Sequence, residues 1–160
     1  GLPVYSISIA LQHRGETVAG VVYAPYLGEM FCASRGGGAF LNGTPLHCSR
    51  NGHLSTMVVA TGMPYDRAVH PDNNLDNIAR VSTQVRGIRR MGSAAIDLAY
   101  TAAVYFDAYW ELNLNLWDVA AGILLVTEAG GIVESIRSDR NHSVMAGSRE
   151  SLGVFQHLIK

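Results

Sequence analysis

From Asp118 to Ala129 the chain reads DVAAGILLVTEA, a helical run that is apolar nearly all round. A surface helix carries one apolar stripe; a helix apolar on every side is packed on more than one side. This segment is therefore read as central, with Gly130-Gly131 ending it. Its longest wholly apolar stretch, Ala120–Val126, is far short of the ~20 residues that cross a bilayer, so nothing here is read as spanning a membrane.

The first third has a different rhythm. Val4–Leu11 alternates, with Tyr5, Ile7, Ile9 and Leu11 on one face and Val4, Ser6, Ser8 and Ala10 on the other, which is a strand pattern. His13–Glu16 turns, Thr17–Ala24 is β-branched, Pro25–Glu29 turns again and Met30–Ser34 returns, giving an antiparallel meander. Gly36–Gly38 loosens the backbone before Ala39–Leu41, and Asn42-Gly43 is a two-residue hairpin signal leading into Pro45 and Leu46.

Beyond that, helices and strands alternate. Leu54–Thr61 reads as a buried strand, and Pro71 begins a helix with Leu75, Ile78 and Ala79 on one face. Gly87–Met91 is a strand, Ser93–Tyr105 a helix with Ile96, Ala99, Tyr100 and Ala103 aligned, and Asp107–Leu112 a strand. After the central helix come strands Ile132–Ser135 and Ser143–Ala146, then a terminal helix lined by Leu152, Phe155, Leu158 and Ile159. The expected fold class is α/β: an antiparallel meander over residues 1–52, followed by a mixed α/β sheet over residues 53–160.

Composition removes several function classes. With 48% apolar and 16% charged residues the chain is not of the disordered type. A formal charge of −1 provides no global field for nucleic acid or anionic lipid, so neither partner is assigned. Cys32 and Cys48 lack C-x-x-C or paired-His spacing, which argues against zinc and for buried thiols, in keeping with a reducing cytoplasm. The chain opens on Gly1-Leu2-Pro3 rather than Met, so its first residue is not read as a start of translation.

Three places combine polar chemistry with a usable geometry. Gly92-Ser93-Ala94-Ala95 lies at a strand-to-helix junction, where free backbone N–H groups and a partial positive charge can hold a phosphate; Ser93 could equally be only an N-cap. Asp118, after Trp117, stands at the start of the central helix, as a cap or as one ligand for a hard cation. Glu111 lies seven residues before Asp118, so a strand end and a helix start could face one cleft, or Glu111 could pair with Arg89 or Arg90. The cluster Arg86, Arg89 and Arg90 could rim an anionic cleft or brace a subunit contact. The six histidines show no H-x-x-x-H spacing, and G-x-S-x-G is absent.

Taken together, Trp117–Gly122 followed by Glu128-Ala129-Gly130-Gly131 resembles the C-terminal signature of the inositol monophosphatase family. The similarity extends through Gly92–Ala95, Asp107–Glu111 and the G-x-G-A-F-x-N-G stretch Gly36–Gly43, and so covers essentially the whole chain. The resemblance implies a layered αβαβα sugar-phosphatase fold, incomplete at its N-terminus. It also implies a homodimer, with Asp118 a magnesium ligand, Glu111 a contact to a substrate hydroxyl and Gly92, Ser93, Ala94 and Ala95 a turn near the substrate phosphate. Family members hold two or three magnesium ions and hydrolyse inositol monophosphate or a related sugar phosphate with metal-activated water.

The family also carries a metal-binding Glu and an Asp-Pro-x-Asp-Gly-Thr motif just before the strand that starts here near Val4, and this sequence contains neither. The resemblance therefore implies a chain that is catalytically incomplete alone. Bisphosphate nucleotidases and fructose-1,6-bisphosphatases on the same scaffold are the rival enzyme readings, and a non-catalytic dimerisation or protein-binding relative is the rival of another class.

Overall fold

The computed structural model describes residues 1–160. Strands β1 (Ile7–His13), β2 (Glu16–Ala24), β3 (Glu29–Ser34), β4 (Gly38–Leu41) and β5 (Thr44–Pro45) form one antiparallel sheet in chain order. At the β4–β5 turn both Asn42 (φ 49°) and Gly43 (φ 83°) are left-handed, the geometry that suits the twist of a two-residue hairpin. β1 begins later than the alternation suggests, and its larger apolar face points outward. Ile7, Ile9 and Leu11 are more than half exposed, whereas Ser8 and Ala10 face inward. The reason is distance: Gly20 pairs with Ala10, and a Cβ on Gly20 would lie 3.0 Å from Ala121 Cα of the central helix, so only small residues fit there.

A second sheet contains β6 (Val58–Thr61), β7 (Gly87–Arg89), β8 (Ala108–Leu114), β9 (Ile132–Arg137) and β10 (His142–Gly147) in the order β7-β6-β8-β10-β9. β6 runs parallel to β7 and β8, and β10 antiparallel to β8 and β9. The helices are α1 (Leu75–Ser82), α2 (Ala94–Ala102), α3 (Leu116–Glu128) and α4 (Arg149–Phe155). Adjacent residues of this sheet divide between two cores. Ala60, Tyr109 and Val144 pack with α2 and α3, while Val59, Trp110 and Met145 pack with Val81 of α1 and Leu152 and Phe155 of α4. The layers are sheet, α2 with α3, sheet, α1 with α4. Four layers of the αβαβα order are thus present, and none of these residues covers the outer face of the first sheet, where Ile7, Ile9, Leu11 and Met30 are exposed.

α3 is the helix buried on both sides. Ala121 meets Gly20 of the first sheet, and Gly122 faces Leu98 of α2 so closely that a Cβ would lie 2.6 Å from Leu98 Cβ. Leu124, Leu125 and Val126 are buried, each side chain contributing roughly 1.5–3 kcal/mol of apolar transfer energy. The helix ends at Gly130 (φ 80°), and Gly131 follows in a space bounded by Cys48 Sγ and Val126.

Several boundaries differ from the periodicity. Leu54–Thr56 is a short 3-10 turn, not the start of a strand. α1 begins at Leu75, not Pro71, because Asn74 takes a left-handed conformation (φ 70°) to bury its side chain. The inward face of α1 is Asn77, Ile78 and Val81, leaving Leu75 and Ala79 outside. α2 ends at Ala102 because Val104 (φ 69°) turns the chain back onto Tyr100. α3 starts at Leu116, which makes Asp118 its third residue rather than its cap. The terminal helix is α4 followed by a 3-10 turn over Gln156–Leu158. Cys48 is buried and Cys32 half-buried, both free, and burial pushes the Cys48 thiol up to about 11.

The Gly122–Leu98 approach yields a test of the central packing. Gly122→Ala is expected to lower stability in urea denaturation by about 1–3 kcal/mol, the usual cost of overpacking, despite the better helix propensity of alanine. Unchanged or increased stability would show that α2 and α3 do not sit this close.

Candidate active site

The carboxyl ends of β6 and β7 and the middle of β8 open onto a cavity of about 500 Å³, closed on its other sides by the start of β1, α2 and α3. In parallel α/β sheets this end of the strands is where ligands bind. Gly92, Ser93, Ala94, Ala95, Glu111 and Asp118 all line it, so the residues singled out in the sequence come together in one place.

Ser93 both caps and lines. Its Oγ accepts from the Ile96 N–H (3.4 Å) and lies 3.4 Å from Ser6 Oγ at the approach to β1. The amides of Ala94 and Ala95, in the first turn of α2, have no partner within the helix, and both residues line the cavity. Gly92 (φ 84°) makes the left-handed turn that aims this helix end at the cavity.

Glu111 is not at the end of its strand but within β8, and it pairs with neither Arg89 nor Arg90. Its Oε2 accepts from Tyr109 OH (2.7 Å). Its side chain lies across the end of β6, where a Cβ on Gly62 would fall on the carboxylate; the absence of a side chain at Gly62 gives Glu111 its place. Burial raises its pKa, as does the nearby Asp118, while the Tyr109 hydrogen bond and Arg90 oppose the rise. Of the arginine cluster only Arg90 reaches the cavity; Arg86 and Arg89 are exposed and unpaired, with Arg89 Nη1 donating to the Ile88 carbonyl.

Asp118 closes the first turn of α3. Its Oδ2 accepts the Asn115 N–H (2.9 Å), and its Oδ1 has no protein donor. Capping and a cavity-facing oxygen are therefore compatible in one side chain. Magnesium requires near-octahedral oxygen coordination. Nowhere does the chain bring three or more His, Cys, Asp or Glu side chains into a metal-holding group. Its residues fit one corner of a magnesium site, through Asp118, and not the complete site.

Sequence reasoning missed five residues in or behind the cavity. Met63, Tyr65 and Arg67 reach the cavity from the loop after β6, where no periodic signal marks them. Tyr109 was read only as strand, although an aromatic hydroxyl two residues from a buried acid is a natural partner for it. Asp97 lies within α2, wholly buried, and neither carboxylate oxygen meets hydrogen-bond geometry. Its signal was present as a lone acid inside the apolar run AAIDLA. Burial foremost, and then the Glu111 charge, push its pKa up to about 8, with the Met91 backbone and Arg90 tempering the shift.

A carboxyl that ionises near 4 in the unfolded chain and near 8 in the fold binds more protons when folded across that window. Its stabilising contribution is complete below about pH 4 and is lost as pH rises towards 8, at up to about 1.4 kcal/mol per pH unit. Asp97→Asn is expected to flatten this decline, so that the variant's Tm gains on the parent between pH 5 and pH 8. Parallel Tm curves would show that Asp97 titrates normally.

A profile of the inositol monophosphatase family matches residues 1–154. The inositol-1-monophosphatase of Mesorhizobium japonicum is 43% identical over 152 residues, 92% of this chain and 57% of that protein. Nus factor SuhB of Salmonella typhimurium LT2 is 42% identical over 147 residues, 92% of this chain and 55% of that protein. Among solved structures, an inositol monophosphatase from Anabaena sp. PCC 7120 superposes with a TM-score of 0.89 at 36% identity, covering 98% of this chain and 66% of that one. The chain thus spans little more than half the length of the curated relatives it matches. With its layered sheets, its α2 turn and the α3 signature all within the matched residues, this chain belongs to the inositol monophosphatase family.

Proposed function

We propose that this chain supplies the substrate-binding part of a magnesium-dependent hydrolase of inositol monophosphate or a related sugar phosphate. The observation that carries the reading is the convergence of a helix N-terminus, a buried acid and a second carboxylate with a free oxygen on one cavity. Each has a part to play. The Ala94 and Ala95 amides donate to phosphate oxygens, where the α2 dipole favours negative charge. Glu111 accepts from a sugar hydroxyl and is kept in orientation by the Tyr109 hydroxyl. Arg90 adds an unpaired positive charge at the rim. Asp118, restrained by the Asn115 N–H, offers one oxygen to a magnesium ion whose other ligands come from outside these residues. That ion, when bound, activates water and polarises the phosphoryl group. The rival sugar-bisphosphate and nucleotide substrates differ at the rim and are separated by a substrate panel; a homodimer in the cytoplasm is the accompanying proposal.

A second reading, a partner-binding role, is favoured by relatives that bear the name Nus factor SuhB. An Asp118→Asn allele separates the two. If the cell needs hydrolysis the allele behaves as a deletion, and if it needs only a binding role the allele behaves as wild type.

In a protein that joins this chain to the family segment carrying the other metal ligands, Asp118→Asn is expected to lower magnesium-dependent phosphate release from inositol 1-phosphate by about 100-fold or more, since even the outer supports of metal ligands cost 10–100-fold. The isolated chain is expected to release none. Full activity in the variant would remove Asp118 from the metal site.

A further inference from the structure

The segment between β6 and α1 leaves the sheet at Gly62 and returns at Asn74, and its two ends are tied together. The Asn74 amide donates to the Gly62 carbonyl (2.7 Å) and to Thr61 Oγ1 (3.0 Å), while its Oδ1 accepts from Trp110 Nε1 (2.7 Å). Residues 63–73 thus form a compact loop with a closed neck. Its near side brings Tyr65 and Arg67 to the cavity. None of its residues belongs to either hydrophobic core; Pro64 at its start is buried, but Tyr65, Arg67, Ala68 and Val69 are exposed, so packing holds little of the loop over the cavity.

Charge-assisted hydrogen bonds hold it there. Arg140, in the turn between β9 and β10, donates through Nη2 to Asp66 Oδ2 (2.6 Å) and through Nη1 to the Asp72 carbonyl (2.9 Å) and Oδ2 (3.2 Å). Arg137 adds an ion pair to the same Asp72 Oδ2 (2.6 Å). Within the loop, Val69 and His70 N–H donate to the Asp66 carbonyl, and His70 Nδ1 accepts the Asp72 N–H (3.0 Å) with Arg140 Nη1 at 3.1 Å. That nitrogen is therefore an acceptor. The Arg140 side chain is 13% exposed, and its planar fork spans two carboxylates and a carbonyl, which a lysine could not do. The second sheet needs none of these bonds for its ladder, since β10 is paired with β8 and β9.

We infer that Arg140 is a positioning residue: acting through Asp66 and Asp72, it holds the loop so that Tyr65 and Arg67 stand against a phosphate ester in the cavity. The ligand in this statement rests on the proposed function; the clamp does not. In a protein that joins this chain to the family segment carrying the other metal ligands, Arg140→Gln and, separately, Asp72→Asn should raise KM for inositol 1-phosphate about 10-fold with kcat changed less than about twofold, and Arg140→Lys should recover only part of the loss. Combined with Arg67→Gln, Arg140→Gln should give clearly less than the product of the two effects, because Arg67 is one of the two contacts that Arg140 positions. Trypsin should cut the Arg67–Ala68 bond about 10-fold faster in Arg140→Gln, whether or not the protein hydrolyses anything. Unchanged cleavage overturns the clamp. Faster cleavage with unchanged KM, or KM effects that multiply in the double variant, overturns the positioning role. A parent protein with no phosphatase activity, but with clamp-dependent cleavage, sinks the hydrolase reading and keeps the clamp.

Discussion

How closely α3 can approach its neighbours governs the rest of the molecule. On one side Ala121 rests on Gly20, and on the other Gly122 admits Leu98 of α2; both contacts are too close for larger side chains. Helix interfaces this tight leave few alternative registers, because a slip of one position would place Ala121 or Ile123 where only glycine fits. The same helix delivers Asp118 to the cavity, and its neighbour α2 delivers the Gly92–Ala95 turn. A core contact thus sets the relative position of two parts of the site drawn from distant stretches of chain.

The electrostatics of the cavity follow from that packing. Asp97, Glu111 and Asp118 lie near one another in a protein of almost no net charge, and the first two are largely removed from water. Loss of water foremost, and then the Glu111 charge, raises the Asp97 pKa, while the Met91 backbone and Arg90 temper the rise. Opposing this crowd are Arg90, which lines the same cavity, and the Tyr109 hydroxyl, which donates to Glu111.

Much of the architecture was legible because it is local. Asn42-Gly43 encodes its own turn, and Gly130 its own helix stop. The site was legible through the spacing of Gly92–Ala95, Glu111 and Asp118 and through their resemblance to a family signature. What escaped were residues whose roles are assigned by partners remote in sequence. Pro71 is a reasonable helix start, but Asn74 gives up helical geometry for Gly62, Thr61 and Trp110. Glu111 was matched to nearby arginines by charge, whereas a buried acid takes the partner that shares its pocket, the Tyr109 hydroxyl.

The sequence by itself determined the order of strands and helices, the burial of the central helix and the family. Those depend on periodicity, on turn chemistry and on a contiguous motif, each readable within a dozen or so residues. The tertiary structure alone decided which face of β1 turns inward, that Asp97 lies stranded without a hydrogen-bond partner, and that a loop after β6 is fastened by an arginine more than sixty residues away. Desolvation and hydrogen-bond pairing are properties of distance between elements, and no local pattern carries them.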